Sequence, residues 1–510
     1  MISTTWNRSL RAALPTLAMC VFALATNVAA QEAPVTLTLN EAIHLARLNN
    51  PDFLATSNDA TESDWEVRAA YGGLLPSAQV STGMQYQGEG SQRLGIFTSD
   101  DLGVAATTGY LLSSYSLGLS YRLDGQTLMR PSQAKARREA THARIDAAAF
   151  TLASEVTRQY LAVLAAQDAV TLAEQELARA DENLKLAEAR VAVGSAIALE
   201  AKQAEVERGR AEVELLKARN LHRSELLRLM ERLGITLDRE VELTTSFAVF
   251  EPTWQLEDLL ATAMASHPQL RALRADENAG RANLRAARSQ YLPTLSLQVG
   301  WSGYTRQATN EAFLIDQERF ALDQQRQSCQ AYNELVSRLV NPLPSQDCSV
   351  YQLTDARRAE ILARNDVFPF DFSNDPFSAQ VSISLPIFNG FVREQQVQSA
   401  RVAVEDLRHR LRKEELRLST EIGTALQNVQ TAYQTYVLES RNRELAEEQL
   451  RLAQERYRVG AISFVELLDA ETIKARADRS YLSSVYAFHE GLAALEAAVG
   501  HPLDRPQEGH

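Results

Sequence analysis

From residue 31 onward the chain lacks long hydrophobic runs. No stretch there approaches the ~20 apolar residues of a membrane-spanning helix, so no transmembrane helix is expected. An excess of positive charge is missing too. Lys and Arg number 52 against 65 Asp and Glu, a net charge of −13. A basic footprint is the first requirement of a nucleic-acid binder, so no nucleic-acid partner is expected. The eight histidines (His44, His142, His222, His267, His409, His489, His501, His510) show no metal-ligand spacing such as HExxH. Gly88-Glu-Gly90 lies in a polar loop rather than between a strand and a helix, so it is no dinucleotide fingerprint. No catalytic residue, metal or cofactor is expected, and the chain reads as a non-enzyme.

Cysteine is scarce, with 3 in 510 residues. Arg8 and Arg11 precede a short apolar run, Ala12 to Ala25, and Val28-Ala29-Ala30 supplies small residues for cleavage before Gln31. Residues 1–30 therefore read as a secretory signal peptide. The run is too short for a membrane anchor. Cys20 follows Met19 where a lipidation site wants a small residue, and the apolar run continues past it. The mature chain keeps Cys329 and Cys348. A close pair in an exported protein supports one disulfide, with two free thiols as the alternative.

Proline and glycine are absent where they would break helices. From Pro131 to Val193 there is neither an interior glycine nor a further proline, and Ala, Leu, Glu, Arg and Gln dominate. These are strong helix formers, and the run would make about 95 Å of helix. After Gly194 a second helical pattern continues to about Leu233, roughly 57 Å at the same rise. Both patterns recur at about 393–459 and 462–499. Arg190, Val193, Gly194, Glu200 and Glu205 match Arg456, Val459, Gly460, Glu466 and Glu471 at a constant offset of 266. The start of each half also repeats. Leu39 to Pro51 matches Leu256 to Pro268 at an offset of 217. Thr38 with Glu41 has capping-box spacing, and His267 stands where the first copy has Asn50. The chain is an internal duplication, with a first repeat over 31–250, a second over 251–500 and a tail over 501–510. The hairpin tips fall at 190–200 and 456–469.

Between the helices lie four alternating runs: Ser77 to Tyr86, Tyr115 to Leu123, Leu295 to Ser302 and Phe377 to Leu385. One face is apolar (Val80, Leu117, Val299, Val381) and the other is Ser, Gln and Gly. Each run is about ten residues, the length of a tilted transmembrane strand, and the pattern fits a water-filled barrel in lipid. An ordinary sheet packed on a core is the alternative. Four strands cannot close a barrel, and an open edge in lipid is forbidden, so several chains must share one. The short helices at 51–71 and 268–291 would stack end to end on the returning helices to equal the long ones. Residues 31–50 and 234–267 would gather near the middle. The loops 87–112 and 305–376 would sit at the far end of the barrel, the second partly helical (Glu311 to Val340) and carrying the cysteine pair.

The repeated Leu39–Pro51 element, the proline-led strands, Leu385-Pro386-Ile387-Phe388-Asn389-Gly390 and the paired Val-Gly hairpins together resemble the TolC-like outer-membrane efflux protein family. The resemblance covers essentially the whole mature chain apart from the long second loop. It implies a homotrimer with a 12-stranded transmembrane β-barrel and a long periplasmic α-helical barrel, set in the outer membrane of a Gram-negative bacterium. It implies docking of a periplasmic adaptor protein on Val193, Gly194, Val459 and Gly460. Behind the adaptor it implies an inner-membrane transporter of RND, ABC or MFS type, for efflux or type I secretion. Glu466 and Asp469 match acidic positions that ring the periplasmic entrance. Glu200 is the first-repeat counterpart, with Gln203 in place of the second acid. Tyr457 matches a tyrosine of the closing network. The family's best-known member has an arginine two after the second tip glycine, where this chain has Ile462. The rival reading is a non-conducting helical spacer that tethers the envelope.

Overall fold

Local sequence signals fix the helix starts. In the computed structural model, which describes residues 35–90, 93–98, 108–236, 241–245, 247–341 and 343–503, strand β1 (Val35–Leu37) leads into helix α1 (Leu39–Asn49). Thr38 and Glu41 close the capping box in both directions. Asn50 then caps α2 (Pro51–Gly72), with its side chain accepting from the Phe53 amide. The chain continues through β2 (Ser77–Gln87), a small ribbon of β3 (Arg93–Leu94) and β4 (Phe97–Thr98), and β5 (Tyr110–Leu123). Helix α3 (Gly125–Ala192) and α4 (Ala198–Leu233) form the first hairpin. The second repeat runs β6 (Val241–Leu243), α5 (Leu256–Ser266), α6 (Pro268–Arg288) and β7 (Thr294–Ala308). Its distal loop holds α7 (Glu311–Ser337), α8 (Asp355–Asn365) and β8 (Ser373–Asn374) before β9 (Ser378–Ser384). Helices α9 (Val392–Arg458) and α10 (Phe464–Val499) form the second hairpin. The signal-peptide reading, Cys20 and the tail from residue 504 lie outside the described residues.

Two expectations need correction. Helix α3 does not start at Pro131. It starts six residues earlier, at Gly125, where Asp124 caps it by accepting from the Thr127 amide, which leaves Pro131 inside the helix. A proline in the second turn gives up only one helical hydrogen bond, and the cap upstream supplies the nucleus. Two strands are also longer than about ten residues: β5 has 14 and β7 has 15, because each pairs on both edges through most of its length. Cys329 on α7 and Cys348 form a disulfide, which ties the distal helix to the loop after it.

The strands pair antiparallel in the order β2-β5-β7-β9, with β8 extending the β9 side. Their register keeps like with like. Val80 faces Leu117, which faces Trp301; Ser81 faces Ser116, which faces Ser302. Hydroxyl–hydroxyl bonds of 2.7 Å join Ser77 to Ser120 and Ser81 to Ser116. Over the half of the sheet nearer the helices, one face is thus apolar and the other polar, which a one-residue slip would destroy. Leu117→Arg is expected to keep the chain out of the outer membrane, since a cation on a lipid face costs about 2–4 kcal/mol per chain near the midplane. Ser116→Arg, on the polar face, is expected to be tolerated. Outer-membrane abundance of the two variants checks this, and equal abundance would refute the face assignment.

Below the sheet the helices form a single curved wall. Near the strands the neighbours run α2-α3-α6-α9; toward the tips they run α4-α3-α10-α9. So α2 stacks on α4 and α6 stacks on α10. Their 22 and 36, and 21 and 36, residues approach the 68 and 67 of α3 and α9. At the waist β1 pairs parallel with β6, and the Tyr160 hydroxyl donates to the Leu37 carbonyl at 2.7 Å. Two equivalent cores hold this layer: one around Val156, Tyr160 and Leu229, the other around Ile422, Phe488 and Leu495. Strands β1 and β6 and helices α1 and α5 lie together on one face of the wall.

Candidate functional site at the hairpin tips

The wall has two free edges. One is β2-α2-α4; the other is β9-α9. Both carry apolar residues at heptad spacing with nothing against them. On α4 these are Leu199, Val206, Val213 and Leu227; on α9 they are Leu438, Leu445 and Leu452. A seven-residue apolar repeat is the seam of a coiled coil.

At the far end from the strands, both hairpins turn on a glycine. Gly194 has φ +75° and Gly460 φ +76°, the left-handed region that side chains avoid. Each turn returns a backbone bond that a helix end leaves open: the Ser195 amide donates to Arg190 and the Ala461 amide to Arg456, both at 2.9 Å. The valines before them are 78% and 80% exposed, at the very apex.

Behind the apex a small core joins the two hairpins: Ala187 from α3, Ala204 from α4, Tyr457 from α9, and Phe464 and Leu467 from α10. Tyr457 is 1% exposed. Its hydroxyl donates to Glu200 Oε2 at 3.0 Å, across from α9 to α4. Burial first, and then the Glu200 carboxylate, push the phenol up to about 12. Arg190 caps the arrangement. Its guanidinium lies 4.2 Å from the Tyr457 ring centre and donates to the Tyr457 carbonyl at 2.8 Å. Ile462 packs on the same core. An arginine there would be pushed into apolar contact, and the link between hairpins comes from Arg190 instead.

The acidic residues are not equivalent. Asp469 is exposed. Glu466 is exposed but sits in the first turn of α10, where Ser463 Oγ accepts from its amide at 3.3 Å and donates to its carboxylate at 3.1 Å. Glu200 is drawn off to Tyr457, and Gln203 is half-buried. Higher up, polar contacts between the hairpins continue as a ladder. Asn183 donates to Glu471, Arg479 pairs with Glu176 at 3.0 Å, and the Tyr486 hydroxyl donates to Asp168 at 2.5 Å. Burial raises the Glu471 carboxyl above the usual carboxylate range. Lys474 and Asp478 form a buried pair that Arg443 also joins at 3.0 Å. Sequence reasoning missed Arg190 and this ladder. Arg190 was visible as part of the repeat, yet its counterpart Arg456 is exposed, so duplication alone marks no partner. Among the described residues no cluster could hold a metal ion, and no helix is long and apolar enough to cross a membrane.

A model of the family described as "Outer membrane efflux protein" matches residues 42–235 and 259–501. No curated protein matches significantly. Among solved structures the chain is similar to CusC, with a TM-score of 0.66 and 18% identity, covering 91% of this chain and 92% of that one. It is similar to the CmeC outer membrane channel of Campylobacter jejuni (TM-score 0.66, 16% identity, 91% and 85% covered). It is also similar to the MtrE outer membrane channel of Neisseria gonorrhoeae in its open state (TM-score 0.62, 19% identity, 92% and 91% covered).

Proposed function

Because this chain belongs to the outer membrane efflux protein family and is an outer-membrane efflux channel with a large periplasmic helical portion, we propose a specific role for each part of its tip. Three copies join edge to edge, β9-α9 of one against β2-α2-α4 of the next, to give 12 strands and a continuous tunnel. The observation that carries this is the pair of free edges with matching heptad stripes. The spacer reading leaves the polar strand face around Ser81, Ser116 and Ser302 without purpose.

Val193, Gly194, Val459 and Gly460 form the docking surface for the adaptor, since exposed valines at an apex favour a partner that covers them. An inner-membrane pump of RND, ABC or MFS type stands behind the adaptor, in an efflux or type I secretion system. Asp469 and Glu466 ring the entrance, and rings of carboxylates favour cations. Arg190, Tyr457 and Glu200 hold the two hairpins of one chain together when the entrance is closed.

Purified trimer in planar bilayers tests the entrance. Cation-selective conductance is expected, and Glu466→Gln with Asp469→Asn should move the reversal potential toward zero under a salt gradient. An unchanged reversal potential would remove both carboxylates from the filter.

A further inference from the structure

We propose that the outer face of the helical wall, just beneath the barrel, holds a binding site for the headgroup of an anionic phospholipid. A cavity of about 660 Å³ opens there between the upper parts of α2, α3 and α6. Its upper rim is Tyr71 and Leu128, which are 46% and 47% exposed. Below the rim lie Lys135, Arg281 and Arg285, with Glu139 the one carboxylate lining it.

Three observations point to an anion held beside lipid. The first is uncompensated charge. Many arginines of this acidic chain are paired with a carboxylate, and three basic side chains meet at this cavity against one acid. Arg281 is paired so, with Glu277 at 2.7 Å, but Lys135 and Arg285 make no ion pair among the described residues. Lys135 instead sits 5.3 Å from the centre of the Tyr71 ring.

The second is height. Tyr71 lies six residues before β2, and Leu128 five after β5, so the rim is at the foot of the strands. Side chains of a helix lean toward its N-terminus, and α3 begins at the membrane, so Lys135 leans up toward it. The exposed apolar collar of Leu75, Leu292 and Phe388 surrounds the same level. An apolar rim above a basic floor matches glycerol and acyl chain above phosphate.

The third is the side of the wall. Lys135 and Tyr160 are 25 residues apart on α3, about seven turns at 3.6 residues per turn. They share a face, and Tyr160 bonds into the layer of β1 and β6 at the waist, which lies outside the wall if the tunnel of the proposed channel is open. The cavity therefore opens toward lipid and away from the tunnel.

A basic side chain near an anionic membrane surface contributes on the order of 1 kcal/mol, or roughly fivefold in affinity. Native mass spectrometry of the detergent-solubilised full-length trimer tests the site, with phosphatidylglycerol and phosphatidylcholine as probes. The trimer is expected to retain phosphatidylglycerol over phosphatidylcholine. Lys135→Gln with Arg285→Gln should reduce that retention about 25-fold, while Lys135→Arg with Arg285→Lys keeps it. The trimer mass in each spectrum reports assembly. Equal retention of the two lipids, or an unaffected Gln variant, overturns the proposal. Displacement of the lipid by millimolar inorganic phosphate overturns the lipid assignment in favour of a free anion.

Discussion

Replacing both tip glycines with valine, Gly194→Val with Gly460→Val, is expected to abolish export while leaving the trimer assembled. At φ +75° and +76° an L side chain costs about 1–2 kcal/mol per residue, and β-branching raises that. Nothing lies within 4 Å of a Cβ built on Gly194, so no clash threatens the fold. The strain is relieved by rebuilding the turn, which moves Val193 and Val459 from the apex. Assembly depends on the strands and on the heptad positions above the turns, from Val206 and Leu452 upward, and it should survive. The measurement is accumulation of an exported substrate, read beside trimer bands on a crosslinked gel. Full export from the double variant would end the docking role of the tips. Loss of the trimer would show that the turns matter for assembly instead.

Arg190→Ala with Tyr457→Phe should loosen the closed entrance and raise its open probability in bilayers at least tenfold. A hydrogen bond from a charged donor contributes about 1.5–3 kcal/mol, and a desolvated cation–π contact adds up to about 2. Both are lost with Arg190, and the Tyr457→Phe change removes the bond to Glu200. Each 1.4 kcal/mol shifts a two-state equilibrium about tenfold, so the predicted change is large even if half the energy is recovered by water. Phe at 457 keeps the ring in its core, so instability is not the expected cause. Recordings indistinguishable from the wild type would mean that the entrance is closed by contacts between chains rather than within one.

The candidate site was only partly legible in the sequence. Gly194 and Gly460 were readable because a lone glycine between two long helix-forming runs has one structural meaning. Tyr457, Glu200, Glu466 and Asp469 were readable as matches to a family pattern. That Tyr457 bonds to Glu200 was not, because the two lie 257 residues apart. Arg190 was the sharpest omission. Its chain neighbours say nothing of it, and its partner is a backbone carbonyl on another helix. Glu466 shows the converse: the family resemblance implied a lumen acid, and its carboxylate also serves the cap at Ser463.

The sequence by itself determined every element that depends on near neighbours. Thr38 and Asn50 set helix starts through bonds spanning three residues, and Asp124 does the same, although its cap was read from the structure and not from the sequence. Strict alternation set which face of each strand is apolar, because a strand's side-chain period is two. The duplication settled that there are two hairpins, and helix lengths required that short rods stack to match long ones. Tertiary structure decided which rod stacks on which, since α2-α4 and α6-α10 differ by only a residue from the alternative pairing. It decided the lengths of β5 and β7, which follow from pairing on two edges. It also decided which charges are free: Lys135 and Arg285 look like any other cations of a charged helix until α2, α3 and α6 bring them together beneath the strands.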